Sequence, residues 1–210
     1  MILLRNEMQF DRTKLKAVVL HTCASCEPER LGAVKLHKVL YFLDMIYFAQ
    51  FGVPVTGASY RKRPFGPTCV ELLSVLRDMQ TSGELEIRDT EFYGLAKKEY
   101  FARAETPSGV LNESEMALLD EVIQFVCYQN SAKTISDYSH QLPWELAEFG
   151  EEIPYRTALM LFPSDVGPEA FEIVERGAAE VAQARLNQNP LDLPLLSALR
   201  SRVHQEMLGR

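Results

Sequence analysis

The hydrophobic positions between residues 35 and 51 follow a helical repeat on more than one face. The core-facing repeat, with apolar residues three or four positions apart, consists of Leu36, Leu40, Leu43 and Tyr47, flanked by Val39 and Ile46. A second stripe, rotated by about 100°, carries His37, Tyr41, Asp44 and Phe48. A helix this apolar is predicted to be buried, so its few polar side chains need partners.

Asp44 is the most informative of these polar residues, because it lies inside the apolar run LYFLDMIYF. A buried carboxylate is costly unless it is paired. One interpretation is structural: Asp44 forms an ion pair or caps a neighbouring backbone turn. The other is that His37, Tyr41 and Asp44 line a polar groove that receives a partner's side chain. His37 and Asp44 lie two helical turns apart, so Tyr41 or another segment would have to bridge them.

The segment after this helix alternates between turns and extended backbone. Gly52 is predicted to end the helix, and residues 58–63 are predicted to form a short strand, in which Arg61 and Arg63 share one face. Residues 64–67 form a rigid Pro-Phe-Gly-Pro corner. The final proline of that corner suits the first turn of the next helix, which we expect to run to Gly83.

The remaining pattern predicts more helices than strands. A first helix is expected over 11–24, short strands over 85–88 and 100–103, and a helix after Asn112 that begins with a capping box to Glu115. A helix over 131–140 and two amphipathic helices beyond residue 168 complete the prediction. The expected fold is α+β and predominantly helical: a helical core, a small antiparallel sheet or hairpin, and a C-terminal helical extension.

Composition excludes some classes of function. The chain has 210 residues, a net charge of −7 and a pI of about 5.2, so its bulk charge opposes contact with a nucleic-acid backbone. No stretch approaches the roughly 18 apolar residues of a membrane span, and the N-terminal region lacks a signal-peptide cleavage pattern. We therefore expect a cytoplasmic protein that binds neither membrane nor DNA.

The cysteines offer two interpretations. Cys23 and Cys26 form a C-x-x-C pair just after His21, and such a pair can supply half of a zinc site. A second pair is missing from the sequence, and Cys69 and Cys127 are scattered. The default interpretation is therefore four reduced thiols, with no metal and no cofactor.

His140 invites a catalytic interpretation, because Asp137 and Ser139 are close to it in sequence. These residues do not form a triad by themselves, since adjacent helical positions point in different directions. The alternative is that His140 forms a hydrogen bond across the core and that Trp144 packs beneath it. Known nucleotide-binding and hydrolase motifs are missing. We expect no catalytic residues, with an enzyme using His140, Asp137 or Asp44 as the weaker alternative.

Two separated motifs resemble one known family. The stretch KLHKVLYFLDMIYFAQFGVPVTGASYRKRPFGP resembles the opening motif of the Panacea antitoxin domain, the group of SocA-like and GepA-like proteins. The matching positions are Lys35, Leu36, Lys38, Leu40, Tyr41, Phe42, Asp44, Thr56, Gly57, Tyr60, Gly66 and Pro67. Thr68 departs from the pattern, which often has Val there. The second motif, residues 131–140 followed by Pro143-Trp144, is similar to a later segment of the same family.

The resemblance implies a domain over residues 1–160, with residues 161–210 as a helical extension that packs on it or on a partner. Gly57, Gly66, Pro67, Asp137, His140 and Trp144 would be its structural motif residues. It further implies an antitoxin that neutralises a cognate protein toxin by direct binding. SocA-like members instead deliver the toxin to a ClpXP-type protease, and that adaptor role is the alternative. The expected partner-binding or polar-groove residues are Lys35, His37, Lys38, Tyr41, Asp44, Tyr60, Arg61 and Arg63.

Overall fold

Helix α2 (Gly32–Phe51) is the central element of the structure, a computed structural model that describes residues 9–92 and 94–161. Most of its side chains are buried, as its apolar pattern predicts. It ends at Gly52, which adopts a left-handed conformation with φ 75° and donates its N–H to the carbonyl of Phe48. Glycine favours this conformation because it has no Cβ.

The other elements surround α2 and produce the predicted, predominantly helical α+β fold. Along the chain they are α1 (Arg12–Ser25), β1 (Tyr60–Arg61), β2 (Thr68–Cys69), α3 (Leu72–Thr81), β3 (Leu85–Phe92), β4 (Leu95–Ala102), α4 (Glu113–Ile123), a π-helical turn (Gln124–Tyr128), α5 (Ala132–Tyr138), α6 (Leu142–Leu146) and a 3₁₀ helix (Tyr155–Leu161). Helices α4 and α5 and the 3₁₀ helix all contact α2.

Two of the predicted helices, α1 and α4, begin where the capping residues in the sequence indicate. Asp11 accepts a hydrogen bond from the backbone N–H of Lys14 at 2.9 Å and begins α1. Asn112 and Glu115 form the predicted capping box at the start of α4. Each cap satisfies backbone donors that the first helical turn leaves free.

The strand prediction needs correction in its extent and arrangement. The described residues form two separate two-stranded antiparallel sheets, β1 with β2 and β3 with β4, rather than a single small sheet. Strands β3 and β4 are also longer than the strands predicted over 85–88 and 100–103, since β3 extends to Phe92 and β4 begins at Leu95. Opposite charges face each other across this hairpin, for example Asp89 and Lys98, whose side chains lie 2.7 Å apart. Such cross-strand pairs let a polar segment remain extended.

The helix predicted to begin at Pro67 begins later. Thr68 and Cys69 form β2 and pair with Arg61 and Tyr60 of β1. The backbone N–H of Val70 then donates to the carbonyl of Ser59 at 2.9 Å. This pairing keeps the backbone extended, and α3 starts only at Leu72.

The described part of the chain ends at Leu161, which is fully buried. The predicted C-terminal extension therefore lies outside the described residues, apart from Leu161 itself. Within ranges 9–92 and 94–161, none of the helices combines the length and the apolar character needed to cross a membrane.

Candidate functional site

Asp44 is the centre of a buried hydrogen-bond network. Its carboxylate accepts the backbone N–H of Thr56 at 2.7 Å and the Thr56 hydroxyl at 2.5 Å. The hydroxyls of Tyr60 and Tyr155 lie 2.7 Å and 3.1 Å from the same carboxylate. These contacts correspond to the structural interpretation, because Asp44 ties α2 to the turn at Thr56, to β1 and to the 3₁₀ helix.

Burial decides the electrostatics of this network. Complete burial raises the pKa of Asp44, although the hydrogen bonds from Thr56, Tyr60 and Tyr155 oppose the change. The Tyr155 hydroxyl also lies 2.6 Å from the carbonyl of Ala58, which can only accept. The single proton of the Tyr155 hydroxyl therefore has two acceptors within reach, the carboxylate of Asp44 and the carbonyl of Ala58.

Residues 63–67, here called the hairpin turn, connect β1 to β2 and are held by side chains from three helices. Lys38 of α2 donates to the carbonyl of Pro67 at 3.0 Å. Ser136 of α5 donates to the carbonyl of Phe65 at 3.0 Å, and the Trp144 indole of α6 donates to the carbonyl of Arg63 at 3.1 Å. Three alternate carbonyls of one turn are thus each fixed by a separate helix.

Gly66 allows this close approach. Its φ is +89°, and a Cβ at this position would lie 2.5 Å from Nζ of Lys38, still nearer to Oγ of Ser139, and 3.2 Å from the ring of His140. Gly66 also closes the turn by donating its N–H to the carbonyl of Arg63 at 2.9 Å. Any larger residue would have to displace the side chains of Lys38 and Ser139 and would have to adopt a backbone conformation that favours glycine.

His140 and Trp144 stack, as the structural interpretation of this region predicts. Their ring centroids lie 3.9 Å apart with an interplanar angle of 16°, and the ammonium of Lys62 lies 4.1 Å from the Trp144 ring. The predicted hydrogen bond of His140 across the core is not seen at Nε2, which is buried without a partner among the described residues. Asp137 is exposed, and within the described part of the chain it forms no ion pair with the imidazole, although its charge acts to raise the pKa of His140 against the lowering by burial.

The other predicted site residues divide into an interior and a surface group. Lys35 is buried and donates to the carbonyl of Cys127 at 2.9 Å, and Nδ1 of His37 accepts the N–H of Cys69 at 3.2 Å. The hydroxyl of Tyr41 is buried without a partner in the described residues. Contact between these side chains and a partner stays a prediction.

Arg61 and Arg63 form the surface group, since both side chains are exposed. Gly57 is a turn position with φ +66°, and a Cβ there would lie 2.6 Å from the carbonyl of Gln9. The absence of a Cβ therefore lets the backbone of Gln9 and Phe10 pack against this turn.

The comparison with protein families assigns the chain to one family. A family model described as the SocA-like antitoxin, Panacea domain, matches residues 36–145, which is just over half of the chain. The chain belongs to the SocA-like Panacea antitoxin family. Neither a search of curated proteins nor a search of solved structures gives a significant match.

The Panacea match contains every side chain that holds the hairpin turn. It begins in α2 before Lys38 and ends in α6 just after Trp144. The two motifs that sequence analysis treated separately therefore meet in space at the hairpin turn. Sequence analysis missed two residues here: Ser136, which donates a hydrogen bond to the turn, and Phe65, which is exposed. The reason is that only the pairing of β1 with β2 brings α5 against residues 63–67.

The cysteines of this Panacea protein are all free thiols, and all four are buried. His21 contacts Asp120 at 2.6 Å rather than the C-x-x-C pair. Across residues 9–92 and 94–161, no group of three or more His, Cys, Asp or Glu side chains is arranged to hold a metal ion. Burial raises the pKa of Cys69 to about 12, with the nearby Glu71 adding to the effect, so its thiol is a poor nucleophile at neutral pH.

Lys38 gives a testable pH dependence. Burial lowers its pKa to about 7, whereas an unfolded lysine has a pKa of about 10.4. Between these values the unfolded chain binds more protons at this position. The contribution of Lys38 to the free energy of unfolding should therefore fall as the pH drops from about 9.5 to 7, by at most about 1.4 kcal/mol per pH unit. The buried thiols of Cys23 and Cys69, whose pKa values are raised to about 12, act in the opposite direction above about pH 8.5, but they are common to the wild type and to a Lys38 variant.

Lys38→Met should flatten this dependence, and urea titrations of both proteins from pH 7 to 9.5 would measure it. The neighbouring imidazoles of His37 and His140 have lowered pKa values, since burial disfavours their charged forms, so neither titrates in this range. Parallel stability curves for the variant and the wild type would contradict the prediction.

Proposed function

We propose that this chain is an antitoxin that neutralises a cognate protein toxin by direct binding. The observation that carries the proposal is the match to the antitoxin family. Two of the residues in its motifs, Lys38 and Trp144, hold a surface turn by hydrogen bonds. Asp44 is fully buried and bonded to Thr56, Tyr60 and Tyr155, and Asp137 forms no ion pair with His140 within the described residues. Protein recognition is therefore better supported than catalysis.

The rigid hairpin turn suits protein recognition. A surface that is already ordered loses little conformational entropy on binding, so more of the interaction energy appears as affinity. Arg61 and Arg63 are the predicted contact residues that reach the surface here. Lys38 would then act indirectly by holding the turn. We also propose that residues 1–160 form the Panacea domain, with residues 161–210 packing on it or on the toxin.

A growth assay tests the proposal. The chain is co-expressed with the toxin encoded beside it, in a normal host and in a host lacking ClpXP, and the complex is purified through a tag on the toxin. Direct neutralisation predicts rescue in both hosts and co-purification of both chains. Rescue confined to the host with the protease would instead indicate an adaptor, and growth arrest in both hosts would reject the antitoxin role for this pair.

A further inference from the structure

We propose that Phe65 is the aromatic anchor of the toxin interface, bordered by the guanidinium groups of Arg61, Arg63 and Arg156. The partner that fits this surface is a protein patch with an apolar pocket rimmed by carboxylates. The inference rests on the proposed function, and it adds to it the location of the interface and the chemistry of the partner.

Phe65 is exposed although its backbone is fixed. Its side chain is 70% exposed, while its own carbonyl and those of Arg63 and Pro67 accept hydrogen bonds from Ser136, Trp144 and Lys38. Folding therefore constrains the backbone of this turn without burying its aromatic ring. Aromatic residues presented on ordered backbone are typical of the few residues that dominate binding energy at protein interfaces.

Further apolar side chains lie near the hairpin turn. The Phe149 ring is 65% exposed, and its centroid lies 5.8 Å from the guanidinium carbon of Arg63. Leu146 is 62% exposed in α6, the helix whose Trp144 holds the turn. Exposed apolar residues that cluster in this way indicate an interaction site more strongly than isolated ones.

Three arginines near the turn form no ion pairs within the described residues, whereas eight other lysines and arginines there do. Ion pairs in the described residues engage Arg12, Lys14, Lys16, Arg30, Arg88, Lys97, Lys98 and Arg103. Arg61, Arg63 and Arg156 are exposed, and none has a carboxylate within ion-pair distance in that part of the chain. Arg77 and Lys133 are unpaired too, but they lie on α3 and α5.

A groove of about 560 Å³ lies beside β1 and is lined by Arg61, Leu146 and Arg156. Two carboxylates, those of Glu151 and Glu152, also line it. Glu151 accepts the backbone N–H of Glu148 at 3.1 Å and is thereby engaged within its own loop. Glu152 pairs with Arg61 through the backbone, but within the described residues neither guanidinium group has a carboxylate at ion-pair distance. A carboxylate-bearing rim on the toxin would supply one.

The test uses the full-length chain and its purified toxin, with affinity measured by calorimetry. Phe65→Ala should weaken binding about 30-fold or more, the loss expected for an interface hot spot. Leu95→Ala is the matched control, because Leu95 is 72% exposed at the tip of the β3–β4 hairpin. It should change the affinity less than about threefold. Both variants should keep the wild-type thermal midpoint, since neither side chain is buried.

A charge variant tests the rim separately. Arg61→Ala with Arg63→Ala should weaken binding and reduce its salt dependence, whereas Arg88→Ala with Lys98→Ala, in the β3–β4 hairpin that carries Leu95, should leave both unchanged. If the wild type binds and Phe65→Ala binds equally well, the anchor is wrong while the antitoxin role stands. If the wild type forms no complex, both proposals fail. Light scattering in the absence of toxin provides a further check. If the mass of Phe65→Ala differs from that of the wild type, the turn is a self-association surface and the inference is overturned.

Discussion

Replacing Asp44 with alanine is expected to destabilise the protein by about 3–5 kcal/mol, because at least two buried donors lose their acceptor and each unsatisfied group costs about 1–3 kcal/mol. The change leaves the backbone N–H of Thr56 and the hydroxyl of Tyr60 without their acceptor in a fully buried site. It also opens a cavity between α2 and the 3₁₀ helix. Urea denaturation monitored by circular dichroism measures the loss.

Asp44→Asn serves as the matched variant. It keeps the volume and one acceptor oxygen, but its amide group donates where the carboxylate accepts the Tyr60 hydroxyl. Its loss of stability should lie between those of the wild type and Asp44→Ala. A loss below about 1 kcal/mol for Asp44→Ala would show that the network is not a major source of stability.

Gly66→Ala is the second substitution with a large expected effect. The added methyl group would lie 2.5 Å from Nζ of Lys38 and even closer to Oγ of Ser139, and the alanine would have to adopt φ +89°. The backbone conformation alone costs about 1–2 kcal/mol. We expect a larger total loss, because the Lys38 and Ser139 side chains must also shift, which disturbs the hydrogen bond from Lys38 to the carbonyl of Pro67. Toxin binding should weaken as well, since Phe65 would no longer be held in place.

Gly150→Ala separates the two contributions. Gly150 has nearly the same backbone conformation, with φ +87°, but a Cβ there has no atom within 4 Å. The difference in unfolding free energy between the two alanine variants therefore measures the contact of the turn with Lys38 and Ser139. Equal losses for the two variants would mean that this contact contributes nothing.

Local signals were sufficient for much of the fold. The apolar repeat of α2, its glycine stop and the capping box at Asn112 each depend on residues within a few positions of one another, and all three are found. The strands were less predictable. The length of β3 and β4 depends on which residues face each other across the hairpin, and pairing of β2 with β1 delayed the start of α3.

The candidate site was only partly predictable, because its parts are distant in sequence. Lys38 and Trp144 are more than 100 positions apart, yet they donate to carbonyls of the same turn. The family resemblance identified both motifs but gave no sign that they converge. Sequence analysis expected Lys35 and Lys38 to bind a partner or to line a polar groove. Both are buried, and the amino group of each donates a hydrogen bond to a backbone carbonyl, which offsets the loss of contact with water.

The central claim is that this Panacea protein neutralises its toxin by forming a stable complex. Size-exclusion chromatography with light scattering, applied to the co-expressed pair from a host lacking ClpXP, tests it most directly. The account predicts one species whose mass corresponds to both chains in a fixed stoichiometry, and separation of the chains when Phe65 is replaced by alanine. If cells that lack ClpXP grow while expressing the toxin and the wild-type chain, but the two proteins elute separately, direct neutralisation is contradicted.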